Sequence, residues 1–148
     1  MKTIPPLPIV RDQRVRHIPL WPGYAISDAG VVWTCLANGC NSRYKAKHGK
    51  YAEWKIRKPT ARKLSGHLWV RLTRDGEGYS TYVHRLVLLT FVGECPVGNE
   101  SRHLDNDPKN NVLSNLQWNT KKVNQGDRAI FGTRTPRGLD GRFVGASP

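Results

Sequence analysis

Long hydrophobic runs are absent from this sequence. A membrane-crossing helix needs roughly 18 consecutive apolar residues, and the longest run here, Leu86 to Val92, is broken by Thr90. The opening residues, Met1 to Pro8, lack the apolar stretch of a secretory signal. Cysteine is scarce too. Three thiols cannot pair completely, which fits a reducing, cytoplasmic setting better than secretion. Cys35 and Cys40 lack the tight paired spacing and the four ligands of a structural zinc site, so free thiols are expected. Acidic residues are also few. Against 24 Lys and Arg stand 11 Asp and Glu, giving the 148-residue chain a formal charge of +13 and a pI near 10.2. Such an excess points to a polyanionic partner, most commonly nucleic acid. Apolar residues make up 38%, enough for a modest core but not for a large enzyme with a deep cavity. A membrane protein, a secreted disulfide knot and a multidomain enzyme are thereby disfavoured.

The texture changes along the chain. Residues 1–17 hold Pro5, Pro6, Pro8, Arg11, Arg14 and Arg16 and read as a basic flexible arm. From Ile18, short apolar runs broken by Gly23, Asp28 and Gly30 predict a small β hairpin. Residues 43–63 carry nine cations against the single acid Glu53. The cations include Lys45, Lys47, Lys55, Arg57, Lys58, Arg62 and Lys63, with Tyr44, Tyr51 and Trp54 interleaved. This is expected to be an extended or loosely structured insertion that contacts phosphate, adding affinity without sequence choice.

Leu68, Val70 and Leu72 alternate, and Asp75-Gly76-Glu77-Gly78 follows, so a hairpin is predicted. Val83, Leu86, Val87, Thr90 and Phe91 share one helical face, with Gly93 and Pro96 as stops. Residues 100–131 read as strand, polar loop, strand and helix, the last running from Lys121 to about Phe131. Lys121 and Lys122 at its start are further candidate phosphate contacts. Trp21, Trp33, Trp69 and Trp118 are expected in the core, and residues 133–148 are expected to be a flexible tail.

The informative segment runs from Ser101 to Asn111 and continues through Asn115-Leu116-Gln117-Trp118-Asn119-Thr120 to Asn124. His103, Asn115 and Asn124 stand 12 and 9 residues apart. Together with Asn110-Asn111 and the Val83-His84-Arg85-Leu86-Val87 helix, they resemble the ββα-metal (HNH, His-Me finger) motif of phage-type HNH endonucleases, including homing nicking enzymes. Residues 18–32 resemble NUMOD4, a small module that often precedes this motif. The resemblances imply an α+β protein: a small β-rich N-terminal DNA-binding module with its basic insertion over 18–66, then an HNH nuclease domain over 67–132.

The resemblance further implies metal-dependent hydrolysis of double-stranded DNA with one divalent cation, Mg²⁺ or Mn²⁺. His103 would be the general base and Asn124 a metal ligand. Asn115 would brace the inter-strand loop and orient His103. Asn110 and Asn111 are expected to form a turn, one of them left-handed. His84 is expected to cap or pack its helix, with a place near the metal as the second choice.

One position departs from the family pattern. Many members carry a ligand immediately before the catalytic His, where this chain has Arg102. Asp105 or Asp127 would then supply the carboxylate, Asp105 being favoured as lying on the same side of a continuing strand. Alternatively the site binds metal weakly or not at all, and Arg102 clamps phosphate on a non-catalytic DNA-binding scaffold. A single site cuts one strand, so a double-strand cut requires a homodimer or two events. Homing and an accessory role beside phage packaging proteins both fit the motif combination. A structural RNA-binding protein is a third reading, favoured by charge and size alone.

Overall fold

The computed structural model describes residues 3–36 and 51–130, with side chains described as far as Gln125. Lys45, Lys47, Cys40 and the tail lie outside these residues, as does the side chain of Asp127.

Four antiparallel strands form the first sheet in sequential order: β1 (Val15–His17), β2 (Tyr24–Ser27), β3 (Val32–Leu36) and β4 (Tyr51–Ile56). All of β2 is buried, which a four-residue strand achieves only when both its faces are covered. The arm expected over 1–17 therefore ends in a strand. Arg16 pairs with Ile26, and Arg14 makes a 2.9 Å ion pair with Asp28, holding that carboxyl below the usual carboxylate range. The second half of the basic insertion is also a strand, paired with β3 through Trp33 and Ile56. Trp54 fixes it to the arm by donating its indole N–H to the Pro6 carbonyl at 2.8 Å.

A second sheet contains β5 (Thr60–Ala61), β6 (Leu68–Arg74) and β7 (Glu77–Tyr82). The β6–β7 turn is only two residues long, Asp75 (φ 55°) and Gly76 (φ 83°). Both are left-handed, matching the twist of the flanking strands. Helix α1 (Val83–Phe91) follows directly and buries Val83, Leu86, Val87 and Leu88. The chain then forms β8 (Asn99–His103), a 3₁₀ turn at Leu113–Asn115, β9 (Leu116–Thr120) and α2 (Lys121–Ile130).

One continuous core joins these parts. Ile18 just after β1, with Tyr24, Ile26 and Val32 from the first sheet, meets Val70 and Leu72 from the second, the buried face of α1, and Leu116 of β9. Each fully buried Val or Leu contributes about 1.5–3 kcal/mol. Trp21 and Trp118 pack against the cluster, Trp33 is buried, and Trp69 is half-buried. The cluster draws on both sides of the boundary expected at residues 66 and 67. Polar bonds cross there as well. The Tyr24 hydroxyl accepts from the Thr73 N–H at 2.9 Å, and the Leu113 N–H donates to the Asp28 carbonyl at 2.7 Å. No helix among the described residues is long and apolar enough to cross a membrane.

Candidate active site

The β8–β9 hairpin lies between the two helices, and its register divides its side chains by face. His103 pairs with Leu116 and Ser101 with Trp118, whereas Arg102 pairs with Gln117 and Glu100 with Asn119. Alternation puts the first four on the side of α1. Leu116 joins the α1 core there, and the Trp118 indole donates to the Gly93 carbonyl at 3.1 Å, just beyond the helix. The other four face α2, where Asn124 Nδ2 donates to Glu100 Oε1 at 2.9 Å.

His103 ends β8, and its Nε2 lies 3.2 Å from Asn111 Oδ1. Asn111 Nδ2 donates to the Lys109 carbonyl at 3.1 Å, which sets the orientation of the amide. A carbonyl oxygen can only accept, so the proton between the side chains belongs to Nε2. In the neutral ring that tautomer leaves the lone pair on Nδ1. The residue that orients this imidazole is Asn111, not Asn115. Asn111 is only 5% exposed. It sits against Gly30 (φ +80°), where an added Cβ would come within 2.9 Å of the Asn111 Cβ and carbonyl oxygen. The loop between β8 and β9 is thus seated on the β2–β3 turn.

Asn115 braces that loop. Its Oδ1 accepts from the Asp105 N–H at 3.0 Å, and its Nδ2 donates to Asp105 Oδ1 (2.8 Å) and the Asn110 carbonyl (2.9 Å). Asp105 departs from the expected geometry. β8 stops at His103, and the chain turns through Asn106, which holds the left-handed φ of 62° expected for Asn110 or Asn111. Both Asp105 oxygens are taken up within the loop, by Asn110 Nδ2 at 2.6 Å and by the Asp107 N–H and Asn115. These donors hold its carboxyl below the usual range. Asp105 is a loop brace, and the premise of a continuing strand fails.

The carboxylate beside Asn124 belongs instead to Glu100. Asn124 Oδ1 is buried without a hydrogen-bond partner, an expensive arrangement unless a ligand completes it. Nδ2 is the amide atom that meets Glu100 here; with the amide turned over, its oxygen and the carboxylate would be the donor types that suit a hard cation such as Mg²⁺, which takes few protein ligands and keeps several waters. Arg102 lies on the same strand face as Glu100. The period of two along β8 is the sequence signal that points to Glu100.

Two further histidines surround His103. The His84 ring lies 4.9 Å from it, edge to face, and the His67 ring 5.5 Å away. His84 is 4% exposed, and its Nδ1 has no hydrogen-bond partner. Burial, followed by the neighbouring His103, His67 and Arg85, pushes its pKa down to about 3. No side chain caps α1, so His84 belongs to this cluster and not to a cap. His67 carries no sequence signal, because only tertiary packing brings it here.

The predicted phosphate contacts are distributed around the surface. Lys55, Lys58, Arg62, Lys63, Lys121 and Lys122 are exposed. Arg57 donates to the Arg71 carbonyl at 3.2 Å, and together with Lys58, Arg71 and Trp69 it lines a shallow depression. The Arg62 guanidinium lies 4.9 Å over the Trp69 ring. Lys121 and Lys122 oppose the dipole of their own helix, since the first turn of α2 contains no acid.

Residues 81–125 match the family model for HNH endonucleases. This segment carries the likeness to HNH endonucleases. It spans α1, the β8–β9 hairpin and the start of α2, and includes His84, His103, Asn115 and Asn124. The chain is 32% identical over 110 residues to DNA endonuclease I-HmuI of Bacillus phage SP01, covering 74% of this chain and 53% of that protein. A solved structure described as "DNA binding and cleavage by the HNH homing endonuclease I-HmuI" superposes with a TM-score of 0.63 at 27% identity. The overlap covers 83% of this chain and 62% of that one. The chain spans about half the length of the curated relative it matches. The HNH match begins at residue 81, so the NUMOD4 likeness rests on residues 18–32 alone.

Proposed function

We propose that this protein hydrolyses DNA phosphodiester bonds in the presence of one divalent cation, as a homing-type nicking endonuclease. The observation that carries the reading is His103 at the end of β8 with its Nε2 3.2 Å from Asn111 Oδ1, which in the neutral ring leaves the lone pair on Nδ1. Such an imidazole can take a proton from an attacking water. As the water oxygen bonds to phosphorus, the 3′ oxygen leaves, giving 5′-phosphate and 3′-hydroxyl ends.

Asn124 Oδ1 and the Glu100 carboxylate would hold the cation, on the α2 side of the strand that ends in the base. A bound Mg²⁺ or Mn²⁺ would neutralise charge gathering on the non-bridging and leaving oxygens. Arg102 shares that strand face and would pair with an adjacent phosphate. Lys55, Arg57, Lys58, Arg62, Lys63, Lys121 and Lys122 would track the backbone, and the N-terminal sheet would grip the duplex beside the cut.

One HNH segment provides one site and therefore cuts one strand. Structural likeness to a homing endonuclease favours homing over a packaging accessory. A non-catalytic DNA binder is the second reading, motivated by Arg102 at a position that supplies a ligand in many relatives.

Supercoiled plasmid incubated with the protein and Mg²⁺ or Mn²⁺ decides between these readings. Conversion to open circles that a chelator abolishes supports the nuclease. Tight plasmid binding without nicking in either metal leaves the binder.

A further inference from the structure

We infer that His67, His84 and His103 form a second cation site, selective for a first-row transition ion such as Zn²⁺, and that its occupation switches the nuclease off. The inhibitory part rests on the nuclease reading above; the binding part does not.

The site is built from three separate elements. His67 precedes β6, His84 lies in the first turn of α1, and His103 ends β8. One ring nitrogen from each lies within 4.8 Å of the other two. The rings are in mutual contact, with centroids 5.2 Å apart for His67 and His84, 4.9 Å for His84 and His103, and 5.5 Å for His67 and His103. The central ring, His84, is almost wholly buried, and its Nδ1 lacks a hydrogen-bond partner. A buried ring nitrogen without a partner among other imidazoles is costly in a metal-free protein and useful when the group coordinates.

Ligand chemistry selects the ion. Imidazole nitrogens suit Zn²⁺, Co²⁺, Ni²⁺ and Cu²⁺, whereas Mg²⁺ prefers the oxygen donors found on the other face of β8. Three protein nitrogens with a fourth position open is a familiar zinc arrangement. Zn–N bonds of about 2.0–2.1 Å require the donors to draw together by roughly an ångström, a movement that side-chain rotation can supply.

Either nitrogen of His103 that a cation takes would disable the base. Coordination at Nδ1 occupies the lone pair that accepts the proton from water. Coordination at Nε2 displaces the proton donated to Asn111. The cluster would make the enzyme responsive to free zinc even in excess Mg²⁺.

The test uses the full chain stripped of metal and titrated with Co²⁺, whose visible absorption reports nitrogen coordination. The expected result is an intense band saturating at one equivalent, bleached by Zn²⁺. His67→Ala should weaken Co²⁺ binding by about tenfold or more, while Glu100→Gln should leave the band intact. A wild-type protein with no saturable band overturns the site, as does a Co²⁺ affinity unchanged in His67→Ala or a band that disappears in Glu100→Gln. His67→Ala is the primary variant because its ring is only half-buried, and a thermal melt checks that it folds.

Zinc inhibition is then read in the Mg²⁺-supported plasmid assay, each variant normalised to its own zinc-free rate. The zinc concentration for half inhibition should rise about tenfold or more in His67→Ala. An unchanged value overturns the switch. The two proposals fail separately. A band without nicking sinks the nuclease and leaves the cation site, whereas nicking without a band does the reverse.

Discussion

Replacing Asn111 with Ala probes the orientation of the base. The substitution removes the acceptor 3.2 Å from His103 Nε2 and the amide donor to the Lys109 carbonyl. One neutral hydrogen bond holds a side chain in place by about 0.5–1.5 kcal/mol, so the productive imidazole population should fall by about 2- to 13-fold. Asn111 is itself only 5% exposed, and the substitution removes both of its side-chain hydrogen bonds. At about 0.5–1.5 kcal/mol each, the stability loss is about 1–3 kcal/mol. Single-turnover nicking at saturating protein should therefore slow by about tenfold, with DNA affinity unchanged, and urea denaturation should show the stability loss. Asn111→Asp retains an acceptor for Nε2 and should recover part of the rate. Wild-type rates in Asn111→Ala, or a loss confined to affinity, would refute the assignment of Nε2 as the committed nitrogen.

Three other predictions address stability, metal and DNA. The pKa of His84 is depressed to about 3 from an ordinary value of 6.5, so its contribution to stability is complete above pH 6.5 and declines as pH falls. Between pH 7.5 and 5 the metal-stripped protein should lose about 2 kcal/mol in urea titrations. His84→Gln should lose markedly less over that range, and parallel curves for the two proteins would contradict the burial argument. Glu100→Gln should raise the Mn²⁺ concentration for half-maximal nicking by about 10- to 100-fold, measured alongside direct Mn²⁺ binding; an unaltered requirement would move the ligand elsewhere. Neutralising Lys55, Arg57 and Lys58 together should weaken binding similarly on all duplexes and flatten its salt dependence. Loss on one sequence only would show that these residues read bases.

Local signals make much of the HNH segment legible. The 3.6-residue repeat from Val83 to Phe91 becomes α1 over those same residues, and Asp75-Gly76 provides the two positive φ values of a tight hairpin. α2 spans Lys121–Ile130, close to the 121–131 expected. What stays hidden is non-local. β1 forms because β2 offers an edge to residues otherwise read as an arm, and β4 pairs across the intervening residues with β3. Asp105 would face the base only if the strand ran two residues further, whereas Asn106 turns the chain and Asn110 and Asn115 take up the carboxylate. Asn111 looks like an ordinary turn residue until its amide is seen against His103. Glu100 needs only the strand period, counted backwards from Arg102, together with the knowledge that α2 covers that face. His67 cannot be found from sequence, because it stands 36 positions before His103 and joins it only through the packing of β6 and α1.

In the proposed hydrolysis, the imidazole at the end of β8 takes the proton from the attacking water. Single-turnover nicking of supercoiled plasmid in Mg²⁺ by His103→Ala, with DNA affinity measured on the same preparation, tests it most directly. His103→Ala should nick at least about 100-fold more slowly than wild type with affinity retained. Equal rates for the two proteins would contradict it.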